Sequence, residues 1–198
     1  MSIQGLIFDC DGTLADTMPF HWKAWQTVLQ RYRLQLPESR FYALGGVPSR
    51  DILRMLSQEQ GINLDALAVA KEKESAYLPF IAHVEPIRLV VDIARDHFGK
   101  IPMAVASGGS KPVILQVLEH LQIRHYFKAV VTNEDVVNQK PAPDIFLEAA
   151  RRIGVPPSRC RAYEDTDIGL QAIRGAGMEA VDVRQLLQAG AGPSAARL

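Results

Sequence analysis

Two acidic residues, Asp9 and Asp11, follow the first apolar segment of the chain, residues 6–8, and precede the pair Gly12 and Thr13. Side chains along a strand point alternately to its two faces, so carboxylates at this spacing share a face and repel each other. A fold tolerates such a pair when a bound cation compensates the charge. The spacing therefore indicates a strand end at which paired carboxylates do chemistry, with a solvated acidic turn as the simpler alternative.

A second polar segment, Ser107, Gly108 and Gly109, follows the apolar residues 101–106. Residues 111–121, which come next, have the apolar spacing of a helix. A hydroxyl and glycine amides just ahead of a helix N-terminus form a cradle for an anion. The same turn is common in ordinary strand–helix connections, so this interpretation depends on the other polar segments.

Two later segments carry further charged groups. Lys140 precedes the sequence Pro-Ala-Pro-Asp, whose prolines hold the loop extended, although a lone lysine is usually solvated. Glu164 and Asp165 follow a short predicted strand, residues 161–163. Acids also cap helix N-termini, where the dipole favours them, and we expect Asp167 to be a cap of this kind. An acid pair facing another acid pair is otherwise self-repelling, which favours a shared cation.

The elements that position these segments alternate between strand and helix from residue 85 onward, which predicts a parallel sheet with helices on both faces. Ligands of such sheets bind at the carboxyl ends of the strands, where the polar segments fall. We predict an α/β fold with a three-layer, Rossmann-like core of residues 1–15 and 84–198. Residues 16–83 show only helical spacing and are expected to form a small all-helical cap, inserted after the first strand. The stretch 189–196 is expected to be frayed.

The composition excludes several classes of protein. Lys and Arg total 22, as do Asp and Glu, so no basic surplus indicates nucleic acid or an anionic membrane surface. There is no stretch of signal-peptide type and none of membrane-spanning length. Cys10 and Cys160 have no C-x-x-C spacing and are expected to be buried, reduced thiols. We expect a cytoplasmic monomer that binds neither nucleic acid nor membranes.

The four segments, D-x-D-G-T, S-G-G, K-P-A-P-D and E-D, resemble in order and spacing the motifs of the haloacid dehalogenase superfamily, whose members are mostly phosphatases and phosphomutases. This resemblance implies that Asp9 attacks phosphorus in line and becomes an aspartyl phosphate. It implies that Asp11 protonates the leaving alcohol and then deprotonates the water that frees the enzyme. Lys140 would face the transferring phosphoryl group, and the turn that begins at Ser107 would bind it.

The same resemblance implies a Mg²⁺ cofactor. The expected ligands are the Asp9 carboxylate, the Asp11 carbonyl, Asp165, water and an oxygen of the substrate phosphate. Glu164 is expected to be either a direct ligand or a partner of the ligands.

The helical insert is similar to the cap of the β-phosphoglucomutase-like subgroup, in the segments His-Trp-Lys-Ala-Trp from residue 21 and Gly-Val-Pro-Ser-Arg from residue 46. Such a cap closes over a small phosphorylated substrate and excludes bulk water. Arg50 would contact substrate or phosphate from the cap, with a solvated arginine as the alternative. His21 would hydrogen-bond near Asp11 at the hinge, with a purely structural histidine as the alternative.

Two activities are compatible with this subgroup. β-Phosphoglucomutases usually carry valine where this chain has Thr13, and their cap carries a lysine where alignment by hand places Pro79. Both differences favour a phosphatase, and the chain is most similar to compact bacterial sugar phosphatases of the fructose-1-phosphate phosphatase type. We therefore predict a Mg²⁺-dependent phosphatase of small phosphorylated sugars, with β-phosphoglucomutase as the alternative. An inactive binding module with this fold is disfavoured, because the charged set is complete.

Overall fold

The computed structural model describes residues 2–190 of the chain. Of the stretch expected to be frayed, residues 189 and 190 end a helix, and residues 191–196 lie outside the described part. Within residues 2–190, none of the helices is long and apolar enough to span a membrane. Cys10 and Cys160 are both buried free thiols, as predicted.

A parallel sheet forms the centre of the core. Its strands are β1 (Gly5–Phe8), β2 (Met103–Ala106), β3 (Ala129–Val131), β4 (Cys160–Glu164) and β5 (Glu179–Asp182). They lie in the order β3-β2-β1-β4-β5. Every residue of β1 is buried, because both faces of the central strand are covered, and this explains its uninterrupted apolar sequence. The predicted parallel α/β core is confirmed.

Helices cover both faces of the sheet and form the cap. They are α1 (Met18–Tyr32), α2 (Glu38–Ala43), α3 (Ser49–Gln60), α4 (Ala66–Tyr77), α5 (Arg88–His97), α6 (Lys111–His120), α7 (Asp144–Ile153), α8 (Asp167–Gly175) and α9 (Val183–Gly190). Short 3₁₀ helices occupy Leu78–His83, Arg124–Tyr126, Asn133–Asp135 and Pro157–Arg159.

Alternate residues of β1 divide the core into two apolar layers. Leu6 and Phe8 belong to a cluster with residues of α5 and α6 on one face of the sheet. Ile7 belongs to a second cluster, with residues of α7 and α8, on the other face. Because helices fill both faces with apolar contacts, the polar groups of the core are left at the ends of the strands.

The helices α1–α4 lie between β1 and β2 in the chain and form the helical cap that we predicted. They enclose an apolar cluster of their own, in which Trp25, Leu53 and Leu56 are buried. The limits of this cap at residues 16 and 83 stay a prediction.

Two features of the cap differ from the sequence-based prediction. Helix α2 was not predicted, because it has six residues and only Phe41 among them is buried, which is too little for a periodic pattern. The apolar spacing of residues 65–80 predicts one continuous helix, but α4 ends at Tyr77 and the chain continues as a 3₁₀ helix with Pro79 near its start. Proline removes a backbone donor, which explains why the α-helix ends before it.

Candidate active site

The segments singled out in the sequence meet at the carboxyl edge of the sheet. β1 lies between β2 and β4, and its last residue, Phe8, is level with Val105 and Tyr163. The loops that follow these three strands therefore leave the sheet at the same height. The strand order also reverses at β1, which opens a crevice beside its carboxyl end.

Lys140 lies at the floor of this crevice, between two carboxylates. Its Nζ donates to Asp9 Oδ1 and to Glu164 Oε2, each at 2.7 Å, and all three side chains are buried. Burial alone would lower the pKa of Lys140, but the two carboxylates raise it, so the lysine stays charged. Burial and the charge of Glu164 raise the pKa of Asp9 well above its usual value. The positive charge of Lys140 therefore does not balance the negative charges of the carboxylates around Asp9.

Both oxygens of Glu164 are occupied by hydrogen bonds. Oε2 accepts from Lys140, and Oε1 accepts from the backbone N–H and the hydroxyl of Thr166, at 3.0 and 2.7 Å. A side chain at Gly169 would overlap the Glu164 carboxylate, so the first turn of α8 requires glycine there. These contacts favour a Glu164 that positions Lys140, and direct metal ligation by Glu164 stays a prediction. Thr166, rather than Asp167 as expected, caps α8.

Asp9, Glu164 and Asp165 form an acidic cluster that can hold a metal ion. One carboxylate oxygen of each lies within 4.8 Å of the others. Thr13 Oγ1 donates to Asp165 Oδ1 at 2.9 Å, while burial and the charge of Glu164 raise the pKa of Asp165 to about 7. Three carboxylates around Lys140 carry two more negative charges than the lysine neutralises, which a divalent cation with oxygen ligands would balance. The residues therefore fit the predicted Mg²⁺.

Gly12 allows the backbone to turn beside this cluster. Its φ of 82° lies in the left-handed region that glycine adopts readily. A side chain at this position would overlap the Asp165 carboxylate. The glycine of the D-x-D-G-T segment thus brings the loop after β1 against the loop after β4.

The Asp11 side chain bonds to α1 and its N-terminus rather than joining the acidic cluster. Its Oδ1 accepts from Thr17 Oγ1 at 2.7 Å and contacts His21 Nε2 at 3.2 Å, the contact predicted for His21. Lys73 Nζ lies 2.9 Å from His21 Nδ1, so an imidazole protonated at Nε2 accepts from Lys73 and donates to Asp11. Burial alone would raise the pKa of Asp11, but these hydrogen bonds and the charge of Lys73 lower it to about 2.

The turn that begins at Ser107 forms a cradle beside Asp11. Ser107 Oγ lies 3.5 Å from Asp11 Oδ2 and accepts from the N–H of Gly109 at 3.1 Å. Asn133, which no sequence pattern indicated, donates from Nδ2 to the carbonyl of Gly108 at 2.9 Å. Asn133 therefore orients the turn from the loop after β3.

A cavity lies between this edge of the core and the cap. Helix α4 contributes Lys73, Glu74 and Tyr77 to its lining. The Tyr77 ring stacks on His21 with 3.9 Å between the ring centroids. The sequence analysis missed these three residues, because along α4 they are ordinary helix positions. Only the packing of α4 against α1 turns them towards the core.

Among the described residues, Arg50 is not one of those that line the cavity. Its Nε lies 3.3 Å from Asp51 Oδ1, and 42% of its side chain is exposed. The contact with substrate expected for Arg50 stays a prediction.

The cap brings a lysine of its own to the cavity. Lys73 lines the cavity from α4, the helix that precedes Pro79. Its side chain is buried, and burial lowers its pKa to about 8. The placement of Pro79 at the position of the mutase lysine stays a prediction.

Comparisons with known proteins agree with this geometry. A family model described as haloacid dehalogenase-like hydrolase matches residues 6–183. Fructose-1-phosphate phosphatase YqaB from Escherichia coli is 46% identical over 183 residues, which cover 92% of this chain and 97% of that protein. Beta-phosphoglucomutase from Bacillus subtilis is 29% identical, over 92% of this chain and 84% of that protein.

A solved structure shows the same architecture. Beta-phosphoglucomutase from Clostridium difficile superposes with a TM-score of 0.83 at 25% identity, covering 91% of this chain and 84% of that chain. The match includes both the sheet and the helical insert, because it extends over nearly the whole length of each protein. The resemblance inferred from the four polar segments is confirmed, and the chain belongs to the haloacid dehalogenase-like hydrolase family.

Proposed function

We propose that this protein is a Mg²⁺-dependent phosphatase that hydrolyses small phosphorylated sugars, of the fructose 1-phosphate type, through an aspartyl phosphate on Asp9. The observation that carries the proposal is the placement of Asp9, paired with Lys140, beside Glu164 and Asp165 at the floor of a capped cavity. The 46% identity to a fructose-1-phosphate phosphatase supports the substrate class.

Asp9, Asp165 and the backbone carbonyl of Asp11 would hold the metal ion. The bound ion would supply positive charge that neutralises the phosphoryl oxygens during transfer. Glu164 holds Lys140 so that the ammonium points at Asp9 and at the phosphoryl group above it. Thr13 fixes the orientation of Asp165.

Asp9 acts as the nucleophile in the first half of the reaction. Lys140 binds its Oδ1, so Oδ2 is the oxygen placed to attack phosphorus. A bond forms between Oδ2 and phosphorus while the bond from phosphorus to the sugar oxygen breaks on the opposite side. Asp11 gives its proton to the departing sugar oxygen, so the sugar leaves as an alcohol.

Asp11 needs a proton for this step, although its pKa of about 2 makes it a carboxylate in the free protein. A phosphate bound at the cradle lies beside Asp11, since Ser107 Oγ is 3.5 Å from Asp11 Oδ2. Nearby negative charge raises the pKa of a carboxyl group, so substrate binding favours the acid form. In the second half, Asp11 takes a proton from water, the resulting hydroxide attacks phosphorus, and Asp9 leaves as a carboxylate with release of phosphate.

The substitution Asp9→Asn tests this assignment. With fructose 1-phosphate and Mg²⁺, release of inorganic phosphate should fall by at least about 10⁴-fold, because an amide is a poor nucleophile towards phosphorus. Circular dichroism should show that the fold is kept. Asp167→Asn is the matched control, since Asp167 is exposed, pairs with Arg184 and should leave turnover unchanged. More than about 1% residual activity in Asp9→Asn would rule out the nucleophile assignment.

A β-phosphoglucomutase is the second candidate, and the buried Lys73 in the cavity favours it more than the sequence did. A mutase returns the phosphoryl group to a sugar, so it must exclude water and bind a second phosphate. Incubation with β-glucose 1-phosphate separates the two. Release of inorganic phosphate supports the phosphatase, and formation of glucose 6-phosphate supports the mutase.

We also propose that the protein acts in the cytoplasm as a monomer. The buried free thiols Cys10 and Cys160 are compatible with a reducing compartment. Size-exclusion chromatography with light scattering would test the oligomeric state, with an expected mass close to the 21.9 kDa of one chain.

A further inference from the structure

The position of the leaving sugar follows from the position of the nucleophile. In-line transfer places the leaving group on the side of phosphorus opposite the attacking atom. Asp9 attacks from the buried floor, so the sugar must occupy the cap side of the cavity. Helix α4 lines that side with two charged residues, Lys73 and Glu74. The charges of Lys73 and Glu74 therefore act on the sugar, which is the part that differs between one sugar phosphate and another.

Glu74 reaches from the cap to the edge of the phosphate cradle. Its Oε2 accepts a hydrogen bond from Ser110 Oγ at 3.2 Å. Ser110 directly follows the Ser107–Gly109 turn and is the residue before α6. Glu74 is half-buried and lines the cavity together with the Ser107–Gly109 turn.

Lys73 at this end of the cavity is flanked by two carboxylates, those of Asp11 and Glu74. The Lys73 Nζ bonds to His21 and lies 5.9 and 5.7 Å from the ring centroids of Trp25 and Tyr77. His21, which accepts from Lys73 and donates to Asp11, is neutral, so one ammonium faces two carboxylates. The Glu74 carboxylate therefore adds negative charge that Lys73 does not balance, and it can accept hydrogen bonds from hydroxyl groups. Without that carboxylate, the charges of Lys73 and Asp11 would balance each other.

On the basis of the proposed function, we infer that Glu74 determines specificity, by accepting sugar monophosphates whose remaining groups are uncharged and rejecting substrates with a second anionic group. A second phosphate or a carboxylate would lie against the Glu74 carboxylate in a poorly solvated cavity, where like charges repel strongly. Hydroxyl groups at the same place would instead donate hydrogen bonds to it.

Fructose 1-phosphate and fructose 1,6-bisphosphate test this inference, because they differ by one phosphate. The measured quantity is the ratio of their kcat/KM values in the wild type and in Glu74→Gln and Glu74→Lys. The wild type should prefer the monophosphate by at least about tenfold, since like-charge repulsion across a few ångströms is worth at least that much. Glu74→Gln should reduce the preference by about tenfold, and Glu74→Lys should reduce it further or reverse it.

Two matched variants separate selection by charge from a merely structural effect. Ser110→Ala breaks the hydrogen bond between cap and core but keeps the Glu74 charge, so it should keep the ratio within about twofold. Glu72→Gln makes the same chemical change on α4, where Glu72 bonds to Arg31 and Tyr32 outside the cavity, and it should not change the ratio.

Each outcome decides the inference. A ratio that falls stepwise from wild type through Gln to Lys, with Ser110→Ala unchanged, supports selection by the Glu74 charge. A ratio that Glu74→Gln does not change, or that Ser110→Ala changes as much, overturns it while the phosphatase itself stands. A wild type that releases phosphate from neither sugar overturns the proposed function and the inference with it.

Discussion

The floor of the site and its cap side use similar charged residues but hold them by different means. On the floor, the side chains of Asp9, Lys140 and Glu164 are at most 7% exposed and are bonded to one another. On the cap side, Arg50 is 42% exposed and bonds only to its neighbour Asp51 among the described contacts. The floor is therefore fixed by the sheet, whereas the cap side depends on how its helices pack.

This difference separates chemistry from selection. The register of β1 with β4 sets the distance between Asp9 and Glu164, and sheet register does not adjust to the substrate. The cap residues lie on helices that belong to a separate apolar cluster. Changes on α4 can therefore alter which sugar is accepted without moving the nucleophile. Four experiments test this division between floor and cap.

Removal of the metal ion should have the largest effect. The floor carries more negative charge than Lys140 balances, so without a divalent cation the dianionic phosphate is repelled. Phosphate release in the presence of EDTA should fall by at least about 10⁴-fold and return when excess Mg²⁺ is added. Full activity in EDTA would contradict both the metal site and the importance of the floor.

Lys140→Met should affect both activity and stability. Removing one partner of a buried ion pair leaves uncompensated charge, which typically costs about 3–5 kcal/mol in the free energy of unfolding. Turnover should fall by about 10³-fold, because the ammonium near Asp9 and the phosphoryl group is lost. Urea denaturation and phosphate release measure the two effects. Lys100→Met, at an exposed position, is the control. A variant with wild-type stability would show that the floor tolerates the unpaired acids.

Lys73→Met should have an intermediate effect that is confined to activity. The substitution removes the cation that bonds to His21, whose Nε2 contacts Asp11, so Asp11 is held less precisely and kcat/KM should fall by about tenfold. Methionine keeps the buried volume, and stability should change by less than about 1.5 kcal/mol. Lys71→Met, on the same helix but exposed, is the control. A loss as large as that in Lys140→Met would place Lys73 with the floor rather than the cap.

Arg50→Ala should have the smallest effect. Its side chain is exposed and pairs with Asp51, an ion pair worth less than about 1 kcal/mol at a surface. We expect less than about a threefold change in kcat/KM for fructose 1-phosphate. A change above tenfold would show that Arg50 reaches the substrate when the sugar is bound, as the family resemblance implies.

The sequence predicted which groups line the floor and the cradle. Asp9, Ser107, Lys140 and Glu164 were recognisable because each lies in a local pattern of strand, turn or proline, and because the four patterns occur together in the order typical of one family. Parallel strands then bring such segments to one edge, so their meeting could also be predicted. The apolar spacing likewise indicated the core helices and most of the cap.

The direction and the bonding partners of several polar side chains could not be predicted from local patterns and are set by the tertiary structure. The inward positions of Lys73 and Glu74, and the bond from Asn133 to the cradle, depend on packing between distant parts of the chain. The position of Glu164 as the holder of Lys140 likewise depends on two loops meeting. Side-chain patterns record which face of an element is apolar, but the partner of each polar group is set only when the elements pack together.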